Sequence, residues 1–463
     1  MGHQARGGRG LTPAWFAVRT HSGDNPVAMT LESSTPKWRR GAVMLGTLGL
    51  LCAGMFSAAD SRGLTLWWSG GSAAASTNLV SPGNLRVRLA DDLPQPRPSS
   101  DSSALTGSPE SRLIAIYRLV ARHDLDDALT ASTALVQSHP NFRLAQLLHA
   151  DLLAARTAPL AAWGGTVPEA DLTPLRDEAR QRLAALRERP PVGTVPAEFV
   201  QLPPSVPFAI AVDAARSRLY LFENGAGGLK LVDDFYISVG KQGVEKLVEG
   251  DQRTPLGLYF TTGRIDPRAL EDRFGVGALP LNYPNAYDRN RGRTGSGILL
   301  HGVPAATYSR PPQDSDGCVV LTNEDLLSLA GRLPLRDTPV LISRKIDWRA
   351  PASAQATAHP EFLKSFQRWQ QARMASDAET LASFYPTDGP ADGAAIARIR
   401  QRAALPPSAI SDTSLITWRD DRELMIATFR EQAGAGQRRD RVMRQYWGRD
   451  GSGWVIMAEG QVH

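Results

Sequence analysis

The stretch LLHGVPAATYSRPPQDSDGCVVLTNEDL, residues 299–326, holds a short apolar strand ending in His301, a Pro-rich loop and a second apolar run, Val319 to Leu321, opened by Cys318. Thr322 followed by Asp325 is a helix-start signal, a hydroxyl cap with a carboxylate three residues on. Further short strands are expected on either side, at Phe208 to Asp213, Arg218 to Phe222 and Lys230 to Val239, the last after the turn at Gly225, Gly227 and Gly228. Leu258 to Thr262, Ile298 to His301 and Pro339 to Ser343 add three more. The texture predicts a β-rich unit over residues 206–347.

That unit contains one of the chain's eight histidines, His301, and one of its two cysteines, Cys318. A free thiol is only a few per cent ionised at neutral pH and needs a base or an electropositive neighbour to act as a nucleophile. The unit's one imidazole lies upstream at a strand end, where a rigid element fixes it. Gly317 removes the side chain beside the thiol, so that backbone N–H groups there can approach a substrate carbonyl as an oxyanion hole. His301 alone reads sooner as a structural histidine at a strand end; with the thiol and the glycine it reads as a base. One His and one Cys are too few for zinc, and the GRTGSG run at 292–297 lacks the Lys-Ser/Thr of a phosphate loop. No metal or organic cofactor is expected.

Outward from this unit the chain changes character. Residues 41–59, GAVMLGTLGLLCAGMFSAA, carry no charge and as a helix span roughly 28 Å, enough to cross a bilayer. Lys37, Arg39 and Arg40 precede them, which by the positive-inside rule leaves residues 1–40 as a basic cytoplasmic terminus and exports everything after Ala59. The segment fits a membrane anchor, and Ser57 and Ala59 also fit a cleaved signal. Cys52 lies inside it, so Cys318 is the single thiol of the exported part and no internal disulfide is possible. The expected location is the periplasmic side of a cell envelope, either anchored in the inner membrane through residues 41–59 or secreted.

Residues 60–107 read as a flexible linker, rich in Ser, Gly, Pro, Ala and Asp from residue 69 on. Residues 108–190 show helical spacing at Leu113, Ile116, Tyr117 and Val120 and again at Leu144, Leu147, Leu148 and Leu152. They look like one or two degenerate tetratricopeptide-type hairpins, with an ordinary helical subdomain as the alternative. Residues 360–463 place helices near 361–375 and 377–385 before strands near 412–418, 423–430, 440–447 and 453–460, an α+β order. Charge is thin, 52 basic against 47 acidic residues, and no basic run interleaved with aromatics tracks a phosphate backbone, so nucleic acid is not an expected partner.

At His301-Gly302 and Ser315-Asp316-Gly317-Cys318 the sequence resembles the L,D-transpeptidase (YkuD-type) catalytic domain family, whose signature is His-Gly followed by Ser-x-Gly-Cys. The family's upstream Gly-Asp-x-x-Thr-Pro-x-Gly element is matched by Gly250, Asp251, Thr254, Pro255 and Gly257. Leu281-Asn282-Tyr283-Pro284-Asn285 and Arg293 ahead of Gly295 and Gly297 look more like the YafK-like branch. The tail is similar to nuclear-transport-factor-like cone domains. The resemblance implies a multidomain chain: an N-terminal membrane segment, an α-helical tetratricopeptide-like region, a β-rich L,D-transpeptidase domain and a C-terminal α+β cone-like domain.

It further implies a cysteine acyl transferase acting on peptidoglycan stem peptides. Cys318 would attack the carbonyl of the third residue, usually diaminopimelate, and form a thioester. His301 would serve as base and acid, with Gly302 orienting the imidazole. Ser315 and the N–H groups of Gly317 and Cys318 would shape the oxyanion site. Two positions depart from the common pattern: Asp316 stands where His or a basic residue is usual, and Val320 where an Arg is. With that Arg lost, Arg293, Arg310 and Tyr283 become candidates for holding the donor's terminal groups, and an acidic Asp316 disfavours thiolate. The acceptor is left open. An amine gives transpeptidation; water gives an L,D-carboxypeptidase, or an amidase releasing a wall-linked lipoprotein; a non-catalytic wall-binding scaffold is the reading from another class.

Overall fold

Ser108 opens the described part of the chain, its hydroxyl accepting the Ser111 N–H at 3.3 Å ahead of Pro109 in the first turn. The computed structural model describes residues 107–463 except 159, 161, 166, 352–358, 387–408, 420, 433–439, 452 and 463. The expected membrane segment at 41–59, the basic terminus and the linker up to residue 106 lie outside the described residues. Among the described residues, no helix is long and apolar enough to cross a membrane.

Four helices come first: α1 (Pro109–Ala121), α2 (Leu125–Ser138), α3 (Arg143–Ala155) and α4 (Glu169–Arg187). The apolar positions read from the helical period, Leu113, Ile116, Leu135, Leu144, Leu148 and Leu152, are buried together with Phe142 in one core. Tyr308, from the β-rich unit, enters the same core.

The chain then gives β1 (Val195–Pro196) and β2 (Phe199–Gln201) before the β-rich unit itself. That unit contains β3 (Phe208–Asp213), β4 (Arg218–Gly225), β5 (Gly228–Tyr236), β6 (Val239–Gly240), β7 (Gly257–Phe260), β8 (Ala278–Pro280), the one-turn helix α5 (Ala286–Asn290), β9 (Leu299–His301), β10 (Gln313–Ser315), β11 (Val319–Val320), α6 (Asn323–Arg332) and β12 (Pro339–Ser343). Its main sheet runs β5-β4-β3-β12-β7, and a smaller one runs β11-β9-β8. Ile210, Val212, Leu219 and Leu221 from the main sheet meet Leu300, Val319, Leu321, Leu326 and Leu329 from the smaller sheet and α6. The small sheet therefore rests on a full core, which fixes the strand that ends in His301 and the one that follows Cys318.

The remainder comprises β13 (Trp348–Arg349), α7 (Pro360–Ala375), α8 (Ala378–Ala382), β14 (Ile410–Arg419), β15 (Glu423–Glu431), β16 (Arg441–Asp450) and β17 (Gly453–Val462). The last four form an antiparallel sheet ordered β17-β16-β15-β14, and β2 extends it beyond β14. Side chains alternate along β15: Met425, Ala427 and Phe429 face Phe362, Phe366 and Trp369 of α7, whereas Leu424 and Ile426 face Phe260, Tyr287 and Leu341 of the β-rich unit. A sheet covered on both faces explains why β15 buries the unbroken apolar run Leu424 to Ala427. The short β2, which sequence analysis left among the connecting residues, ties this sheet to the chain ahead of the β-rich unit.

Candidate active site

β11 runs parallel to β9, with Val319 opposite Leu300 and Val320 opposite His301. Residues paired in this way point to the same face, and continuing the alternation back from Val320 puts Cys318 on the His301 face.

His301 is 4% exposed, and its Nδ1 lies 2.6 Å from the Gly302 carbonyl oxygen. A carbonyl can only accept, so Nδ1 carries the proton and Nε2 keeps its lone pair, the tautomer a general base requires. Burial pushes the imidazole down from 6.5 to about 4; the Gly302 hydrogen bond opposes this, and the positive charges of Arg310 and Arg273 add to it. The Phe274 ring packs edge-on against the imidazole with centroids 5.1 Å apart, and the Arg273 guanidinium sits 4.8 Å over the outer face of Phe274. His301 is therefore neutral, clamped and set beneath a cationic rim.

The loop before Cys318 is held from two directions. Ser315, 2% exposed, donates to the Cys318 carbonyl at 2.6 Å and accepts the Gly317 N–H at 3.1 Å. Gly317 has φ +124°, and a Cβ there would lie 2.7 Å from the Arg253 carbonyl oxygen, so both backbone conformation and space demand glycine. Arg253 belongs to the Gly-Asp-x-x-Thr-Pro-x-Gly element, which is structural here. Asp251 accepts from the N–H groups of Leu247, Val248 and Arg253 and from Lys246 Nζ, and its pKa is lowered to about 2, against the upward push of burial. Thr254 Oγ1 accepts the Gly240 N–H at 2.9 Å.

The Cys318 thiol points at the Gly297 carbonyl oxygen, 3.5 Å away. Burial raises its pKa and the Asp316 carboxylate raises it further, while a hydrogen bond from the Leu299 backbone and the charges of Arg310 and Arg273 pull it down. Cys318 and His301 thus rest as thiol and neutral imidazole, not as an ion pair. Transfer of the proton to His301 requires the thiol to rotate away from Gly297.

The other expected residues divide. Asp316 is exposed and held by Lys241 Nζ and Gln252 Nε2, both at 3.1 Å; these contacts, Lys241 first, lower its pKa, so it is a carboxylate whose charge opposes thiolate as expected. Arg310 lies close enough to act on both reactive groups, and its Nη1 donates to the Asp314 carbonyl at 3.0 Å. Arg293 and Tyr283 have buried partners of their own. Arg293 pairs with Asp288 at 3.0 Å, 10% and 2% exposed, and the Tyr283 hydroxyl donates to the Thr294 carbonyl at 3.0 Å with the residue 5% exposed. The Gly317 N–H, expected at an oxyanion site, is engaged by Ser315.

Three contributors escaped sequence reading. Asn323 Oδ1 accepts the N–H groups of Val303 and Val276, at 3.0 and 3.3 Å, and a Cβ on Gly302 or Gly275 would collide with it. Asn323 thereby bolts the His301 strand to the loop bearing Arg273 and Phe274, which are the other two. Their signal is spatial: they lie well before His301 in sequence and meet it only because Gly302 donates its N–H to the Phe274 carbonyl at 3.1 Å.

The sequence matches the L,D-transpeptidase catalytic domain family (YkuD) over residues 207–342, so this part of the chain is a YkuD-type catalytic domain. Similar solved structures include Bd1075 of Bdellovibrio bacteriovorus, 22% identical, covering 58% of this chain and 98% of that one with a TM-score of 0.47. The helical cell shape determining protein Pgp2 from Campylobacter jejuni is 20% identical over 59% of this chain and 96% of its own, TM-score 0.46. An L,D-transpeptidase from Mycobacterium smegmatis is 14% identical over 30% and 58%, TM-score 0.20. A search of curated proteins gives no match.

Proposed function

We propose that the chain is an L,D-carboxypeptidase of the cell envelope, a cysteine hydrolase that trims peptidoglycan stem peptides through a Cys318 thioester with His301 as base. The observation that carries this is the imidazole: neutral, with its proton on Nδ1 held by Gly302 and Nε2 available on the strand face that Cys318 shares. As Cys318 Sγ attacks the carbonyl of the stem's third residue, its proton passes to His301 Nε2. The C–N bond to the terminal residue then breaks, and the leaving amine takes that proton. Water next attacks the thioester, giving its proton to Nε2, and the sulfur leaves and is reprotonated. No step needs a metal or an electron carrier.

Water is favoured as acceptor by charge. Arg310 and Arg273 both act on the thiol and the imidazole, and the Asp316 carboxylate is engaged by Lys241 and Gln252. An amine acceptor arrives as an ammonium ion and is repelled by such a rim, whereas water is indifferent to it and a donor carboxylate is attracted. Transpeptidation, the outcome the sequence resemblance implies, and amidase action on a wall-linked lipoprotein share the same thioester. The periplasmic location, the anchor or signal at 41–59, the YafK-like branch, the tetratricopeptide-like reading of α1–α4 and the nuclear-transport-factor-like reading of the C-terminal unit belong to this proposal.

The test incubates the protein with a disaccharide tetrapeptide in oxygen-18 water, with and without an added D-amino acid, and reads the products by mass. The expected product is a tripeptide with one heavy oxygen in its new carboxylate, formed even when the amine is present. A product carrying the added amine instead would assign transpeptidation, and unchanged substrate with no thioester would leave the wall-binding scaffold.

A further inference from the structure

We propose that Tyr308 is a positioning residue for Cys318, through which the helical region α1–α4 sets the loop that carries the nucleophile. This rests on the functional reading above. The segment between His301 and β10 is held from outside the catalytic domain at Ala305, Tyr308 and Ser309. The Asn141 side chain donates to the Ala305 carbonyl at 3.1 Å, and the Asn141 carbonyl accepts the Tyr308 N–H at 3.3 Å. The Tyr308 ring, 7% exposed, packs at a tilt of 32° on Phe142 with centroids 4.2 Å apart and meets the His139 ring edge-on at 5.5 Å. Ser309 donates to Glu178 Oε1 of α4 at 2.6 Å.

Glu178 is itself fixed by Arg182, which is 1% exposed and lies 3.9 Å over the Tyr236 ring. The Tyr236 hydroxyl donates to the Arg310 carbonyl at 2.9 Å. From Arg310 the chain of contacts reaches the nucleophile: its guanidinium holds the Asp314 carbonyl, and the next residue, Ser315, bonds both Gly317 and Cys318. Near the start of the segment, His139 Nε2 lies 3.0 Å from Glu324 Oε1, next to Asn323, whose Oδ1 accepts the Val303 N–H. Side chains of α4 and of the link between α2 and α3 thus brace the connection between base and nucleophile. A misplacement of about 1 Å at such a site costs on the order of a hundredfold in rate.

The ring does the anchoring, so Tyr308→Phe and Tyr308→Ala separate packing from chemistry. In the full-length protein Tyr308→Ala is expected to melt cooperatively and lose about tenfold or more in kcat for stem-peptide hydrolysis with KM changed less than about twofold. As Arg310 recedes, alkylation of Cys318, followed by peptide mass to separate it from Cys52, should shift to higher pH, and the acid limb of kcat should rise. A role confined to stability moves neither profile. Tyr308→Phe should stay within about threefold of the parent protein.

A folded Tyr308→Ala protein with parental kcat and both profiles unmoved overturns the proposal, as does a Tyr308→Phe protein as damaged as Tyr308→Ala. Should Tyr308→Ala fail to fold, Asn141→Ala decides: the same profile shifts with a smaller loss support the proposal, and unmoved profiles overturn it. Alkylation needs no substrate. If the parent protein cleaves no stem peptide, the functional reading falls while the alkylation profile still decides the positioning role.

Discussion

Lowering the pH from about 8 to about 3.5 titrates an ordinary imidazole through its value of about 6.5, but His301 only near its end, because burial and two guanidinium charges bring it to about 4. The difference is measurable at pH 5.5. A base of pKa 6.5 would there be about 90% protonated and its rate down about tenfold; one of about 4 is only about 3% protonated and its rate is unchanged. The assay is kcat/KM for release of the terminal residue from a tetrapeptide, at constant ionic strength. Half-maximal activity is expected near pH 4, with no loss on the alkaline side until the raised thiol titrates. Half-maximal activity near 6.5 would refute the buried, neutral imidazole and with it the assigned tautomer. The same shift acts on stability. The folded value lies below the unfolded one, so His301 costs nothing above pH 6.5, and its penalty grows as pH falls to about 4, reaching about 3 kcal/mol.

Ser315→Ala leaves the Gly317 N–H and the Cys318 carbonyl buried without their partner; thermal melting should show a loss of about 2–4 kcal/mol, and acylation should slow in parallel. Gly317→Ala must adopt φ +124° against the Arg253 carbonyl, which costs about 1–3 kcal/mol in backbone strain alone; a stable, fully active variant would show that the loop is not constrained as described. Asp316→Asn removes a charge that raises the Cys318 pKa, so alkylation of Cys318 at pH 8 should quicken, by only about two- to threefold because the carboxylate is exposed. A slower reaction would reverse the assigned sign.

Much of this was legible because it is local. The strand ending in His301, the apolar run after Cys318 and the Thr322 cap, whose hydroxyl accepts the Asp325 N–H at 3.1 Å, lie within one short stretch. The order of helices before strands in residues 360–463 and the helical period of α1 and α3 are local too. What sequence could not supply is long-range. Arg293 is a candidate for the donor's terminal groups because Val320 stands where an Arg is usual, and its buried pair with Asp288, five residues earlier, is visible only in the fold. Asn323 looked like an ordinary first residue of a helix, and its clamp on Val303 and Val276 appears only when three separate segments meet. Tyr308 looked like a loop residue, and its socket is built by Phe142 and His139, more than a hundred residues upstream.

The central claim is that Cys318 becomes acylated by a stem peptide with His301 as base, and intact-protein mass spectrometry tests it directly. The parent protein, incubated briefly with a tetrapeptide donor and quenched in acid, is expected to gain the mass of the donor less its terminal residue, mapped to the peptide containing Cys318. Cys318→Ala should show no such adduct, and His301→Ala should form it more slowly by at least about a hundredfold. An adduct that persists in Cys318→Ala, or forms at the parental rate in His301→Ala, would contradict the account.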